Sequence, residues 1–230
     1  MKAVFLHAGV GDERSWPRRD DIAYRRNSAL DPVDELFGVL DAHGLDDAIL
    51  IGNSMGGRIA IDAALEDPKR VRGLFLIAPA VSGAPDATMP PEVDALVAAI
   101  DAAEEAGDLD ELNRLEAHLW LDGPGSPEGR VSGAARALFL QMNGDAMRAP
   151  QHEGNERQRD PAWGRLGELQ MPTHVLVGDL DLPHLVAQAE GIASRVPHGE
   201  LEVMTGVAHL PTLERPSDVL ASCDRFHETL

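Results

Sequence analysis

Apolar positions fall in short runs separated by polar, glycine-rich turns. Lys2 to His7 and Ala48 to Ile51 each read as a buried strand ending in such a turn. Between them Val33, Leu36, Phe37 and Leu40 recur at helical spacing within Pro32 to His43, and Gly44 stops the run. After the turn Gly52 to Gly57, the positions Ile59, Ile61, Ala63, Ala64 and Leu65 predict a packed helix ending before Pro68, and Val71 to Ala78 a third strand. Strand, helix, strand, helix, strand calls for a parallel sheet with helices on both faces, an α/β architecture.

From Ser82 to about Gln170 the pattern is helical and broken by Gly and Pro. Glu92 to Ala106 and Leu109 to Leu121 are amphipathic, Asp122 to Gly129 is a loop, and Val131 to Met147 is helical again. Thr173 to Val177 restores a strand, Leu185 to Arg195 a helix, Leu201 to Met204 a last strand and Pro216 to His227 a closing helix. The sheet resumes after the interruption, so one core over 1–81 and 166–230, carrying a helical insertion over 82–165, is expected rather than two domains.

Composition narrows the partners. The formal charge of −19 argues against nucleic acid and anionic membranes, because a phosphate-binding face needs clustered Lys and Arg. A small, neutral substrate, or one carried into a locally non-acidic pocket, is expected instead. No apolar run nears the length of a membrane span, and Ala3 to Leu6 is too short for a signal-peptide core, so the reading is cytoplasmic. The single cysteine, Cys223, excludes an intramolecular disulfide and a Cys-rich zinc site and fits a buried helix position.

The chemistry concentrates at the ends of strands. Gly52-Asn53-Ser54-Met55-Gly56 is a G-x-S-x-G pattern directly after a predicted strand and before a predicted helix, where glycines permit a sharp turn that exposes the serine hydroxyl. A phosphate loop is the competing reading, but Arg58 and Ile59 stand where Lys and Ser or Thr are required. A serine nucleophile needs a base held by a carboxylate. His209 lies in the short loop Thr205 to Pro211 after the last strand, and Asp181 in Gly178-Asp179-Leu180-Asp181 after the preceding one. Asp179 is the rival acid, though a turn-stabilising role suits it better, and His184 is a distant second candidate for the base. The Met55 N–H, at the helix start, and that of Gly9, in His7-Ala8-Gly9-Val10-Gly11, would form an oxyanion hole. Gly9-x-Gly11 could open a dinucleotide loop, but Arg14 occupies the third glycine position. Trp120, Phe139 and Met142 would wall an apolar pocket from the insertion, or simply pack its core.

Taken together, His7-Ala8-Gly9, the Ser54 motif, Gly178-Asp179-Leu180-Asp181 and Gly206-Val207-Ala208-His209-Leu210-Pro211 followed by Leu213-Glu214-Arg215-Pro216 resemble the α/β-hydrolase superfamily. The order Ser, Asp, His along the chain is the one that family uses. The resemblance covers Met1 to about Ala80 and about Leu166 to the end, and is similar to small bacterial esterases, enol-lactone hydrolases and carbon–carbon bond hydrolases. It implies an α/β-hydrolase fold with a helical lid, an ester or lactone substrate, a triad of Ser54, Asp181 and His209, and no cofactor or metal. The alternatives are carbon–carbon bond hydrolysis with the same triad and a non-catalytic binding relative. Two departures stand out: family members carry two strands before the His7 strand, which here starts at Met1, and Trp16 to Asp31, with Arg18, Arg19, Arg25 and Arg26, holds no apolar run for the usual strand before Ala48, so either a sheet shortened on that side or an irregular segment is expected. The oligomeric state is not legible.

Overall fold

The computed structural model describes residues 2–17, 22–25, 30–85, 87–149 and 156–230. Six parallel strands form one sheet in the order β2-β1-β3-β4-β5-β6, with β1 at Ala3–Leu6, β2 at Ile22–Ala23, β3 at Ala48–Asn53, β4 at Val71–Ile77, β5 at Thr173–Gly178 and β6 at Gly199–Met204. Strands buried on both faces explain the near-continuous apolar runs, and alternate side chains go to opposite layers. Val4, Leu6, Leu50, Leu74, Leu76, Val175 and Val177 face one core, and Ala3, Phe5, Ile49, Ile51, Phe75, Ile77 and Leu176 the other.

The first core is closed by α1 (Pro32–Ala42), α2 (Met55–Glu66) and α6 (Pro183–Arg195), through Val33, Leu36 and Leu40, Ile59 and Ile61, and Ala189 and Ile192. The second is closed by α8 (Pro216–Glu228), set directly after the short α7 (Pro211–Glu214), through Val219, Cys223 and Phe226, together with Trp16. Cys223 is buried as its sequence context suggests. His174 is structural: it stacks on Phe75 with ring centroids 4.9 Å apart and bonds Glu202 at 3.1 Å.

Trp16 to Asp31 does supply a strand, β2, of two residues paired with β1 at Val4↔Ile22 and Phe5↔Ala23. Tyr24 N–H extends the ladder to Phe5 O at 2.8 Å. A strand this short leaves no hydrophobic run to read. Arg18, Arg19 and Arg26 lie outside the described residues.

Between β4 and β5 come α3 (Pro91–Ala106), α4 (Leu109–Glu116), a π-helical turn over Ala117–Asp122, α5 (Gly133–Arg148) and a 3-10 turn over Ala162–Glu168. The helix expected over Leu109 to Leu121 thus changes type at Ala117, because sequence periodicity does not register one extra residue per turn. Among the described residues, no helix is long and apolar enough to cross a membrane.

Candidate active site

The parallel arrangement sends the C-terminal ends of β1, β3, β4, β5 and β6 to one rim, where open α/β sheets assemble their sites. β3 is buried along its whole length and delivers Ser54 there. Ser54 has φ 53° and ψ −111°, a left-handed conformation costly for a side-chain-bearing residue. Its N–H donates to Ile77 O at 2.9 Å, and its own carbonyl accepts from Ala80 N–H at 3.2 Å, which braces the turn. The tightness explains the glycines: a methyl group on Gly56 would lie 2.3 Å from Leu6 O, and one on Gly52 2.4 Å from Gly56 O. Ser54 is half-buried, and α2 begins at Met55, whose N–H belongs to the unpaired first turn of a twelve-residue helix.

The approach of Gly56 to the end of β1 brings the His7 loop beside that helix start. There Gly9 is exposed, in a turn closed by Gly11 N–H to Ala8 O at 3.1 Å. The buried His7 supports the loop from behind, its Nδ1 2.9 Å from Ala8 O.

After β5 and β6 the chain brings Asp181 and His209 together. Nδ1 of His209 is 2.8 Å from Asp181 Oδ2, and both side chains are 1% exposed. The second carboxylate oxygen accepts Leu182 N–H at 2.7 Å. A carboxylate on Nδ1 fixes the proton there and leaves Nε2 free to accept. His184 is not the acid's partner. Its Nδ1 is buried without a hydrogen bond, and burial, reinforced by the nearby His209, lowers its pKa against the pull of Asp181.

Asp179 proves to be the turn residue, accepting Gly206 N–H at 2.6 Å. Gly206, at φ 74°, occupies a conformation that suits glycine. A methyl group on Gly178 would lie 2.1 Å from Val207 O, so the loops that carry Asp181 and His209 are in backbone contact.

Among the described residues, Ser54 Oγ makes no hydrogen bond to the His209 ring. The two segments are joined instead by Asn53, the variable position of the motif. Its buried Nδ2 donates to Ile77 O at 3.0 Å and to His209 O at 3.3 Å. Unligated hydrolytic sites often hold the hydroxyl–imidazole contact long, and it tightens with substrate.

The helical segment covers this rim. The π-helical turn aims Trp120 at His209, ring centroids 4.7 Å apart and planes at 45°. Phe139 has no accessible surface and packs with Ala8, Ala117, Leu121 and Leu210, while Met142 is 2% exposed and faces Gly11. Of the expected pocket residues, then, only Trp120 keeps a partly open face. Glu214 and Arg130, whose roles the sequence did not signal, lie behind the base loop. Burial raises the Glu214 pKa, while the Ala208 N–H and Arg130 oppose the rise.

A cleft of about 320 Å³ lies at the opposite rim, beside Pro172, Thr173, His198 and Phe226. It lacks a base held by a carboxylate and a strained serine, so its size does not make it the reaction site.

The family described as alpha/beta hydrolase fold matches residues 7–216. A 2-hydroxy-6-oxononadienedioate/2-hydroxy-6-oxononatrienedioate hydrolase from Pseudomonas putida is 26% identical over 203 residues, covering 84% of this chain and 67% of that protein. A pimeloyl-[acyl-carrier protein] methyl ester esterase from Aromatoleum aromaticum is 28% identical over 182 residues, covering 75% of this chain and 71% of that protein. Among solved structures, the N-acyl homoserine lactone degrading enzyme Est816 superposes with a TM-score of 0.66 at 25% identity, over 98% of this chain and 93% of its own.

Proposed function

Because the chain belongs to the α/β-hydrolase fold family, we propose that it is a serine hydrolase cleaving an ester or lactone of a small, neutral or apolar molecule. The observation that carries this reading is the buried Asp181–His209 pair, tied through Asn53 to a serine on a strained turn. Ser54 Oγ attacks the carbonyl carbon as His209 Nε2 takes its proton, and Asp181 stabilises the imidazolium. Met55 and Gly9 N–H groups receive the oxyanion. Collapse expels the alkoxide, which takes the proton back from His209. Water, activated by the same imidazole, then adds to the acyl group and releases the acid with Ser54 restored. In this reading the helices over 82–165 form a lid, with Trp120 as a wall of the acyl pocket, and no cofactor takes part.

A second reading, hydrolysis of a carbon–carbon bond, is favoured by the Pseudomonas putida relative, whose named substrates are dicarboxylates. Such anions require a cation in the pocket. Arg14 and Arg130, which flank the oxyanion and base loops, are engaged with Asp12 and Asp145 and with Glu214 respectively, which favours the ester or lactone.

The test combines a fluorophosphonate probe with hydrolysis of p-nitrophenyl acetate and of a vinylogous diketone. The wild type is expected to be labelled at Ser54 and to prefer the ester, and Ser54→Ala to lose label and about 10³-fold or more in kcat. Unchanged turnover in Ser54→Ala would exclude the nucleophile, and faster diketone cleavage would select the second reading.

A further inference from the structure

Side chains from three directions hold the backbone that leads into His209. Asp179 accepts Gly206 N–H at 2.6 Å, and Glu214 Oε1 accepts Ala208 N–H at 2.7 Å. The third holder is Arg130, from the helical segment. Its Nη1 donates to Gly206 O at 3.0 Å and its Nη2 to Glu214 Oε2 at 2.5 Å, with Glu214 4% exposed. The same guanidinium binds Asp122 O through Nε at 2.6 Å and Leu121 O through Nη2 at 2.9 Å, so one planar fork spans the end of the π-helical turn and the base loop.

Arg130 is itself presented by a preformed loop. Asp122, with no accessible surface, accepts Gly129 N–H and Val131 N–H, each at 2.8 Å, and Arg136 Nη1 at 2.7 Å. The loop therefore closes around its own carboxylate. The network runs Arg136, Asp122, Arg130, Glu214, Ala208 and ends one peptide from the imidazole.

We propose that Arg130 is a positioning residue for His209, coupling the helical lid to the base loop and so limiting the angular freedom of the imidazole. The proposal rests on the reading of His209 as the base. Its physical ground is the number of acceptors served: a guanidinium offers five N–H donors in a fixed plane, and an ammonium at the same place cannot bridge three carbonyls and a carboxylate. Without Arg130, the carbonyl of Gly206 loses its donor and the buried Glu214 carboxylate keeps only Ala208 N–H, and the backbone next to His209 gains freedom. Angular freedom of a base erodes the chemical step more than it erodes substrate binding.

Two independent readouts test this on the full chain. Ring ¹⁵N shifts of His209, assigned by their loss in His209→Gln, report whether the Nδ1–H tautomer is fixed; hydrolysis of p-nitrophenyl acetate separates kcat from KM. Arg130→Ala is expected to average the tautomer signal and lower kcat about 10- to 100-fold, with KM within about twofold, and added guanidinium to restore part of the rate. Arg130→Ala that keeps both the fixed tautomer and the wild-type kcat overturns the proposal, even if the melting temperature falls. Should Arg130→Ala not fold, Arg130→Lys, which keeps the charge and loses the fork, is expected to show a smaller loss of the same kind, and wild-type behaviour there overturns the proposal equally. A wild-type chain with a fixed tautomer but no turnover and no Ser54 label refutes the hydrolase reading, while the shift comparison still decides whether Arg130 holds His209.

Discussion

Asn53 joins two backbone carbonyls with one carboxamide: Ile77 O, which also accepts Ser54 N–H, and the carbonyl of His209. Asn53→Ala leaves His209 O without its buried donor, while Ile77 O keeps Ser54 N–H, so a loss of about 1–3 kcal/mol is expected from a urea titration, the usual cost of one unsatisfied group. A variant as stable as the wild type would show that water replaces the carboxamide. The two aspartates of the acid loop differ in the same residue-scale way. Asp181→Asn changes the group on Nδ1 of His209 and is expected to lower kcat by about 10³- to 10⁴-fold without unfolding the chain. Asp179→Asn disturbs only the Gly206 turn and should leave kcat within about tenfold. The reverse ranking would make Asp179 the acid. Ser54, Asp181 and His209 stood out as candidates because each sits at a strand end in a short motif of its own, and of the contacts among them the structure shows the Asp181–His209 hydrogen bond. The roles of Asn53, Arg130 and Glu214 did not stand out, because they lie in hydrogen-bond partners far off in the sequence: Arg130 reaches Gly206 and Glu214 across 76 and 84 positions.

At the scale of elements, the π-helical turn over Ala117–Asp122 does what a continuous α-helix could not. One extra residue in the turn rotates the side chains beyond it, so that Trp120 meets His209 while Asp122 points into the loop it closes. Apolar spacing predicted helix through Leu121 and was right about burial, but periodicity cannot distinguish 3.6 from a wider turn across six residues. The same holds for β2, whose two residues owe their conformation to the adjacent β1 rather than to their own pattern. The strands that face two cores were the most readable elements, since burial on both sides leaves unbroken apolar runs. If the turn serves to place an aromatic wall, Trp120→Ala should raise KM for an apolar acyl ester about fivefold, which corresponds to roughly 1 kcal/mol of lost aromatic contact, and change kcat less. An unaltered KM across acetyl, butyryl and hexanoyl esters would confine Trp120 to packing.

For the molecule as a whole, a charge of −19 makes the response to pH a matter of which carboxylates the fold favours as anions. Asp31 is one. Burial works against its ionisation, but hydrogen bonds from the Arg159 guanidinium and from the Arg157 and Asp34 N–H groups outweigh it and hold its pKa well below the usual carboxylate range. It also caps α1 through Val33 N–H, so one carboxylate fastens the chain returning from the helical segment to the start of that helix. A folded pKa below the unfolded one stabilises the protein fully above the unfolded value, about 4, and that contribution is lost as pH falls through the folded value. Glu116, the last residue of α4 and bonded to Asn143 of α5, is the opposite case. Burial raises its pKa, the neighbouring Glu104 adds to the rise, and donation from Asn143 at 2.5 Å only partly offsets it. Its anion is therefore disfavoured in the folded state, and the resulting cost is absent below about pH 4, grows from there toward the folded value and is complete above it. Melting curves from about pH 3 to 8 should separate the two signs. Asp31→Asn is expected to melt well below the wild type at neutral pH, with the gap closing in acid. Glu116→Gln, which preserves an acceptor for Asn143, is expected to melt above the wild type at pH 8 and level with it in acid. A Glu116→Gln curve parallel to the wild type at every pH would mean that water reaches the Glu116 carboxylate and that the helices of the segment part enough to solvate it.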